Sequence, residues 1–267
     1  MQLTRLLAKW EVADWHQMLA RLLENSTHPG FPDLLSHSLQ SLLAHDNVVI
    51  KSYRPGCRPQ ILYEDYPAQH HERYIARYLD DIYRLDPVSC SIVDGRTSGI
   101  LRINPRTCQL HGTDYYRHYY QELDLADEID VLVPADARTT LVMSIGRRSR
   151  RPASTRELQA LHNVYPILQH LLRSFSEQHP GQAGPAISPL EAALATFAED
   201  LLTPRERQVV RLMLQGNPGK LIARHLGISH GTVKVHRRNI YARLSVSSQM
   251  QLCDLFLKQA SRPLAPP

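Results

Sequence analysis

Lys234, Val235 and Arg238 fall within about one helical turn of each other in the run His230-Gly-Thr-Val-Lys-Val-His-Arg-Arg-Asn239. At 3.6 residues per turn, Lys234, Arg238 and Tyr241 share one side with Val235 beside them, while Val233, Ile240 and Leu244 share another. A lysine or arginine that reaches a base edge donates to guanine O6 and N7, and an exposed valine meets a thymine methyl. Thr232, Arg237 and Arg243 lie on the flanks, where phosphate oxygens would run. A solvated basic helix that merely closes a bundle would carry the same charge, so the neighbouring elements must decide between the two readings.

A second group of residues could bind rather than read. Ten of the twelve tyrosines lie between Tyr53 and Tyr120. Tyr74, Tyr78 and Tyr83 precede Asp86-Pro-Val88, and Tyr116 belongs to Tyr115-Tyr-Arg-His-Tyr-Tyr120. Aromatic walls with hydroxyls and a carboxylate can line a small-molecule cavity, for which Tyr74, Tyr78, Tyr83, Asp86 and Tyr116 are the candidates. A tyrosine-rich core and rim without a ligand is the alternative.

Other chemistries find little support. His70, His71, Cys90, Cys108, His111 and His118 have no zinc-site spacing, so no metal and no cofactor are expected. Cys57, Cys90, Cys108 and Cys253 form no Cys-x-x-Cys pair and read as free thiols of a reducing cytoplasm, small buried hydrophobes with redox sensing as the lesser alternative. There is no phosphate-binding Gly-x-x-x-x-Gly-Lys loop, and Ser144 before Gly146 lacks the nucleophile elbow. Asp80-Asp81 falls on a helix rather than at the end of a strand, which disfavours a phosphorylated receiver. The chain is not expected to be an enzyme.

The elements that must present Lys234 and Arg238 are well marked. Leu202-Thr-Pro-Arg-Glu206 opens a helix with a reciprocal cap between Thr203 and Glu206 and with Pro204 in the first turn. Gly216 stops that helix. A short helix over 220–226 follows, then the Gly227-Ile-Ser229 turn, with Ser229 capping a helix over 230–244. Helix, glycine turn and helix form a helix-turn-helix pattern, which decides against the bundle reading. A last helix is expected over 248–259. From residue 200 to 260, ten lysines or arginines stand against three acids, whereas the whole chain is only +5 and the remainder is therefore −2. That asymmetry is the electrostatic footprint of a nucleic-acid partner.

Upstream, helix and strand signals mix. Apolar spacing predicts helices over 12–23, 34–44, 66–83, 114–122 and 154–175, the last kinked at Pro166. Strands are predicted over 48–53, 61–63, 99–103, 129–133 and 140–145, with Arg54-Pro-Gly-Cys-Arg-Pro59 as a hairpin turn. The expected fold is an α+β sensor-like domain, an antiparallel sheet flanked by helices of the GAF or PAS kind, joined to an all-α four-helix helix-turn-helix domain. The division is residues 1–177 for the sensor, 178–198 for a Pro- and Gly-rich linker, 199–260 for the helical domain and 261–267 for a disordered tail. No apolar run is long enough to span a membrane, and Arg5 and Lys9 interrupt the first residues, so neither a span nor a secretory signal is expected.

Leu202-Thr-Pro-Arg-Glu-Arg-Gln-Val-Val210, Gly216, Lys220-Leu-Ile-Ala223, Leu226-Gly-Ile-Ser229, Thr232-Val-Lys-Val-His236 and Arg243-Leu-Ser-Val246 together resemble the LuxR-type DNA-binding domain. The resemblance implies four helices, a homodimer paired through the last helix, and double-stranded DNA as the partner. It implies base contacts from Lys234, Val235 and Arg238 and backbone contacts from Lys220, Thr232 and Arg243. Pro218-Gly219-Lys220-Leu221 departs from the family's usual Ser-Asn-Lys-Glu run. Tyr78 through Asp86-Pro-Val88 also resembles the autoinducer-binding domain of quorum-sensing LuxR proteins, although the tryptophans of that family are missing here: the chain has only Trp10 and Trp15. The resulting expectation is a cytoplasmic transcription regulator controlled by a small-molecule effector. The alternative is a regulator whose first domain serves only dimerisation or protein interaction.

Overall fold

The structure is a computed structural model and describes residues 12–80, 82–104, 113, 115–148, 152–178, 193–194 and 197–260. The tail expected at 261–267 and most of the linker expected over 178–198 lie outside the described residues, as do Met1 to Trp10, Cys108 and His111.

Helices α1 (Val12–Glu24) and α2 (Phe31–Leu39) precede a hairpin of β1 (Asn47–Tyr53) and β2 (Gln60–Glu64). A helical run follows: α3 (Ala68–His71), a π turn (Glu72–Ala76), α4 (Arg77–Asp80) and a 3-10 turn (Ile82–Arg84). Then come α5 (Pro87–Val93), β3 (Gly99–Ile103), a second π turn (Tyr116–Tyr120), β4 (Asp127–Pro134), β5 (Thr140–Arg147) and α6 (Thr155–Gln178). The sheet is antiparallel, in the order β2-β1-β5-β4-β3.

Side chains alternate across a strand, so each strand feeds two cores. Val48, Ile50, Ile129, Val131, Val133, Leu141, Met143 and Ile145 face α1, α2 and α6, where Phe31 and Phe175 meet at 5.7 Å. Val49, Tyr53, Leu132 and Val142 face the layer built from residues 66–125, which supplies Tyr66, Tyr78, Tyr83, Tyr115, Tyr119 and Tyr120. Both faces are covered, and β4 and β5 are buried along almost their whole length.

The five strands match their sequence signals. The helices over 66–83 and 114–122 do not form as single α-helices, because each contains a π turn. A π turn inserts one residue and rotates the face that follows it. The expected helix over 34–44 begins earlier, with Pro32 in its first turn, and ends at Leu39. Helix α5 has no counterpart among the predicted elements.

The last four helices are α7 (Pro204–Leu214), α8 (Gly219–Leu226), α9 (His230–Arg243) and α10 (Gln249–Ala260). They enclose their own core, which includes Val209, Val210, Ile222, Val233, Ile240, Leu252 and Phe256. The Thr203–Glu206 capping box is present in both directions. Gly216 and Gly227 take the positive φ values, 84° and 62°, that end α7 and α8.

Candidate nucleic-acid interface and buried polar cluster

Helix α9 is held from beneath. Val233 and Ile240 are fully buried, and the Ser229 hydroxyl accepts from the Thr232 N–H at 3.0 Å to start the helix. The opposite face is open. Thr232, Lys234, Val235 and Arg238 are exposed, as is Lys220 in the first turn of α8. Val235 keeps 47% of its surface in water, beside Lys234 and Arg238. The remaining candidates are engaged locally. Arg237 donates to the Tyr241 hydroxyl at 3.1 Å and stacks over its ring. Arg243 reaches the Leu201 carbonyl at 3.4 Å and the Glu206 carboxylate at 3.5 Å. Burial opposes the charge on Glu206, but hydrogen bonds from Thr203 and the fields of Arg243 and His236 hold its carboxyl below the usual range. Where the family's usual run is replaced, Pro218 takes the N-cap position of α8 without a side-chain cap. A Cβ on Gly219 would come within 2.9 Å of His230 at the start of α9, so the glycine lets the two helices approach closely.

The second site lies between the sheet and the tyrosine-rich layer. Asp86 is 1% exposed and has two roles. Its Oδ1 accepts from the Val88 N–H at 2.8 Å and caps α5, with Pro87 in the first turn. Its Oδ2 accepts from the Tyr78 hydroxyl at 2.5 Å and lies 3.7 Å from Lys51 Nζ. Lys51 also reaches the Tyr78 hydroxyl at 3.4 Å and sits over that ring at 4.8 Å. Tyr53 and Tyr78 share a 2.8 Å hydrogen bond. On β4, Glu128 accepts from the Tyr120 hydroxyl, and Asp130 Oδ1 accepts from Ser144 at 2.6 Å. Among the described residues, Asp130 Oδ2 and the Tyr115 hydroxyl are buried without a hydrogen-bond partner.

Burial dominates the electrostatics here. It pushes Glu128 up to about 7, with Asp86 and Asp127 adding to the shift and Lys51 and Tyr120 opposing it. It raises Asp130 well above the carboxylate range, with Glu128 and Asp86 adding and Lys51 and Ser144 opposing. Burial also works against the Lys51 ammonium, but the fields of Tyr53, Asp86, Glu128 and Asp130 outweigh it and raise that group.

Of the five residues expected to hold a ligand, Tyr78 and Asp86 are in direct contact. Tyr74, Tyr83 and Tyr116 pack in the same apolar cluster, and the hydroxyls of Tyr74 and Tyr83 meet other partners. Tyr74 packs against Tyr66 and His70 and reaches the Glu122 carbonyl at 3.4 Å. Tyr83 accepts from Arg84 at 3.3 Å, and Tyr116 stacks on Tyr120. Sequence reasoning missed Lys51, Tyr53, Tyr115, Glu128 and Asp130. The available signal was Lys51 inside Val48-Val-Ile-Lys-Ser-Tyr53, and Glu128 and Asp130 alternating with apolar residues; both patterns also describe a strand face in water.

The two sites are joined through α5. Its N-terminus is capped by Asp86, and the residue at its C-terminal end, Asp94, accepts from Arg207 of α7 at 2.5 Å. The Arg207 guanidinium also lies 3.6 Å from Glu199. Cys90, between the two ends of α5, is pushed up to about 11 by burial, against the field of Arg211 of α7. Among the described residues, no group of three or more His, Cys, Asp or Glu is arranged to hold a metal ion, and no helix is long and apolar enough to cross a membrane.

Residues 200–256 match the family described as bacterial regulatory proteins, luxR family. An HTH-type transcriptional regulator from the exeN 3' region of Aeromonas salmonicida is 32% identical over 182 residues, covering 64% of this chain and 93% of that protein. The monoamine regulon transcriptional regulator of Klebsiella aerogenes is 29% identical over 180 residues, covering 66% of this chain and 69% of that protein. Among solved structures, the VqsR LBD domain from Pseudomonas aeruginosa superposes with a TM-score of 0.54 at 24% identity, covering 61% of this chain and 97% of that one. That likeness concerns the fold alone.

Proposed function

The chain belongs to the luxR family of HTH transcriptional regulators, and from that premise we propose that a small molecule held in its tyrosine-rich layer sets its affinity for a specific double-stranded DNA site. Helix α9 enters the major groove. Lys234, Val235 and Arg238 read base edges, while Lys220, Thr232, Arg237 and Arg243 serve the phosphates. The observation that carries this reading is the division of α9 into a face buried through Val233 and Ile240 and a basic face, bearing Val235, left in water. Arg237 and Arg243 would exchange their local partners for phosphate oxygens on binding. The active species is a cytoplasmic homodimer paired through α10, whose Met250 and Leu257 are 82% and 54% exposed.

The effector half of the reading rests on the cluster around Asp86. A first domain that served only protein interaction has no need of charged groups between its sheet and its helical layer, where each costs desolvation. The route to the DNA-binding helices is α5, with one end capped by Asp86 and the other paired to Arg207. The test is selection of binding sites from a random DNA pool by the full chain, followed by mobility shifts on the selected site. A single enriched motif whose binding Lys234→Ala weakens supports the reading. Equal binding to all sequences contradicts it.

A further inference from the structure

The tyrosine-rich layer encloses three acids against one lysine. Asp86, Glu128 and Asp130 are each no more than 3% exposed, and the ammonium of Lys51 is committed to Asp86 and Tyr78. Asp130 uses one oxygen on Ser144, and its other oxygen has no partner. The Tyr115 hydroxyl is a second fully buried polar atom without one. Buried polar groups are normally hydrogen-bonded, so two orphans in one cluster indicate that something else completes it. The aromatic wall has a compatible chemistry. Tyr115 stacks on Tyr119 at 5.2 Å and tilts against Tyr120 at 5.7 Å, and Tyr78 meets Tyr119 at 5.5 Å. Ring faces of this kind attract cations.

We propose that this cluster receives an organic cation, a primary to quaternary ammonium, whose charge lies against Asp130 and Glu128 and whose carbon body lies against the tyrosine rings. The proposal rests on the reading that the first domain binds a small molecule and adds the ligand's charge. A bound cation pairs with Glu128 and Asp130 as carboxylates, in place of the protons that burial otherwise makes them keep. A carboxylate ligand would add a fourth acid to the same buried space, and a neutral ligand would leave Glu128 and Asp130 without a cationic partner.

The test is isothermal titration calorimetry on the full chain with tetramethylammonium, 2-phenylethylammonium and putrescine. Each is matched with a neutral alcohol and a carboxylate of similar shape. At least one ammonium ion is expected to bind at one site per chain, roughly tenfold or more tighter than its matched compounds. Asp130→Asn should abolish the preference. Glu128→Gln gives a second neutral isostere, and the thermal midpoint of each ligand-free variant verifies folding. Equal binding of the matched neutral or anionic compounds, or an undiminished ammonium preference in both folded variants, overturns the cation assignment and leaves the small-molecule reading standing. Silence from the whole series, matched compounds included, overturns both.

Discussion

Individual carboxyl groups make the most direct statement about the first domain. Glu128 and Asp130 hold their protons more tightly when buried than in an unfolded chain. The stability this contributes is complete below about 4.5, the ordinary value for Glu128, and is lost as pH rises through about 7. The Glu128 share amounts to about 3 kcal/mol at most. Urea midpoints at pH 5 and pH 8 should therefore differ less in Glu128→Gln than in the parent chain, and equal differences would remove the assignment. On α9, Lys234→Ala or Arg238→Ala should cost about 1–3 kcal/mol at the selected site and relax its sequence preference. The two groups of residues were not equally legible. Lys234 and Arg238 stand out because a 3.6-residue period has one solution once Val233, Ile240 and Leu244 face inward. Glu128 and Asp130 were hidden because a two-residue period does not say whether the polar face meets water or a second layer. Only the covering tyrosine layer, which no local pattern on the strand reveals, makes that choice.

Among the elements, those governed by local chemistry were legible and those governed by tertiary demand were not. Thr203, Pro204 and Glu206 announce the start of α7 because a capping box needs only four consecutive residues. Thr203→Ala should lower the stability of the helical domain by about 1 kcal/mol, read from its thermal midpoint. The π turns at Glu72–Ala76 and Tyr116–Tyr120 lacked a comparable signal. Apolar spacing predicts an unbroken helix there, whereas the structure rotates each run part-way along. Helix α5 was missed because Asp86-Pro87 reads equally well as the end of one helix or the cap of the next, and the Val88 N–H on Asp86 decides for the cap. The residue that ends this helix, Asp94, pairs with Arg207 of α7, so Arg207→Ala should speed proteolytic cleavage between residues 178 and 197 of the full chain. Unchanged cleavage kinetics would mean that the Asp94–Arg207 pair holds nothing in place.

At the scale of the whole molecule, charge and exposed apolar surface set the last four helices apart from the rest of the chain. The last sixty residues carry the positive excess and an open basic face, and the first part of the chain buries acidic groups where no macromolecule can reach them. Met250 is too exposed to belong to the core of one chain. Met250→Asp should shift the mass seen by sedimentation toward the monomer and weaken operator binding, since two half-sites then no longer act together. The central claim, that α9 reads DNA sequence, is tested most directly by comparing the motif selected from a random pool by the parent chain with that selected by Arg238→Ala. The structure predicts that information is lost at one or two positions of each half-site while the remaining positions persist. An identical motif bound with identical affinity by the variant would contradict it.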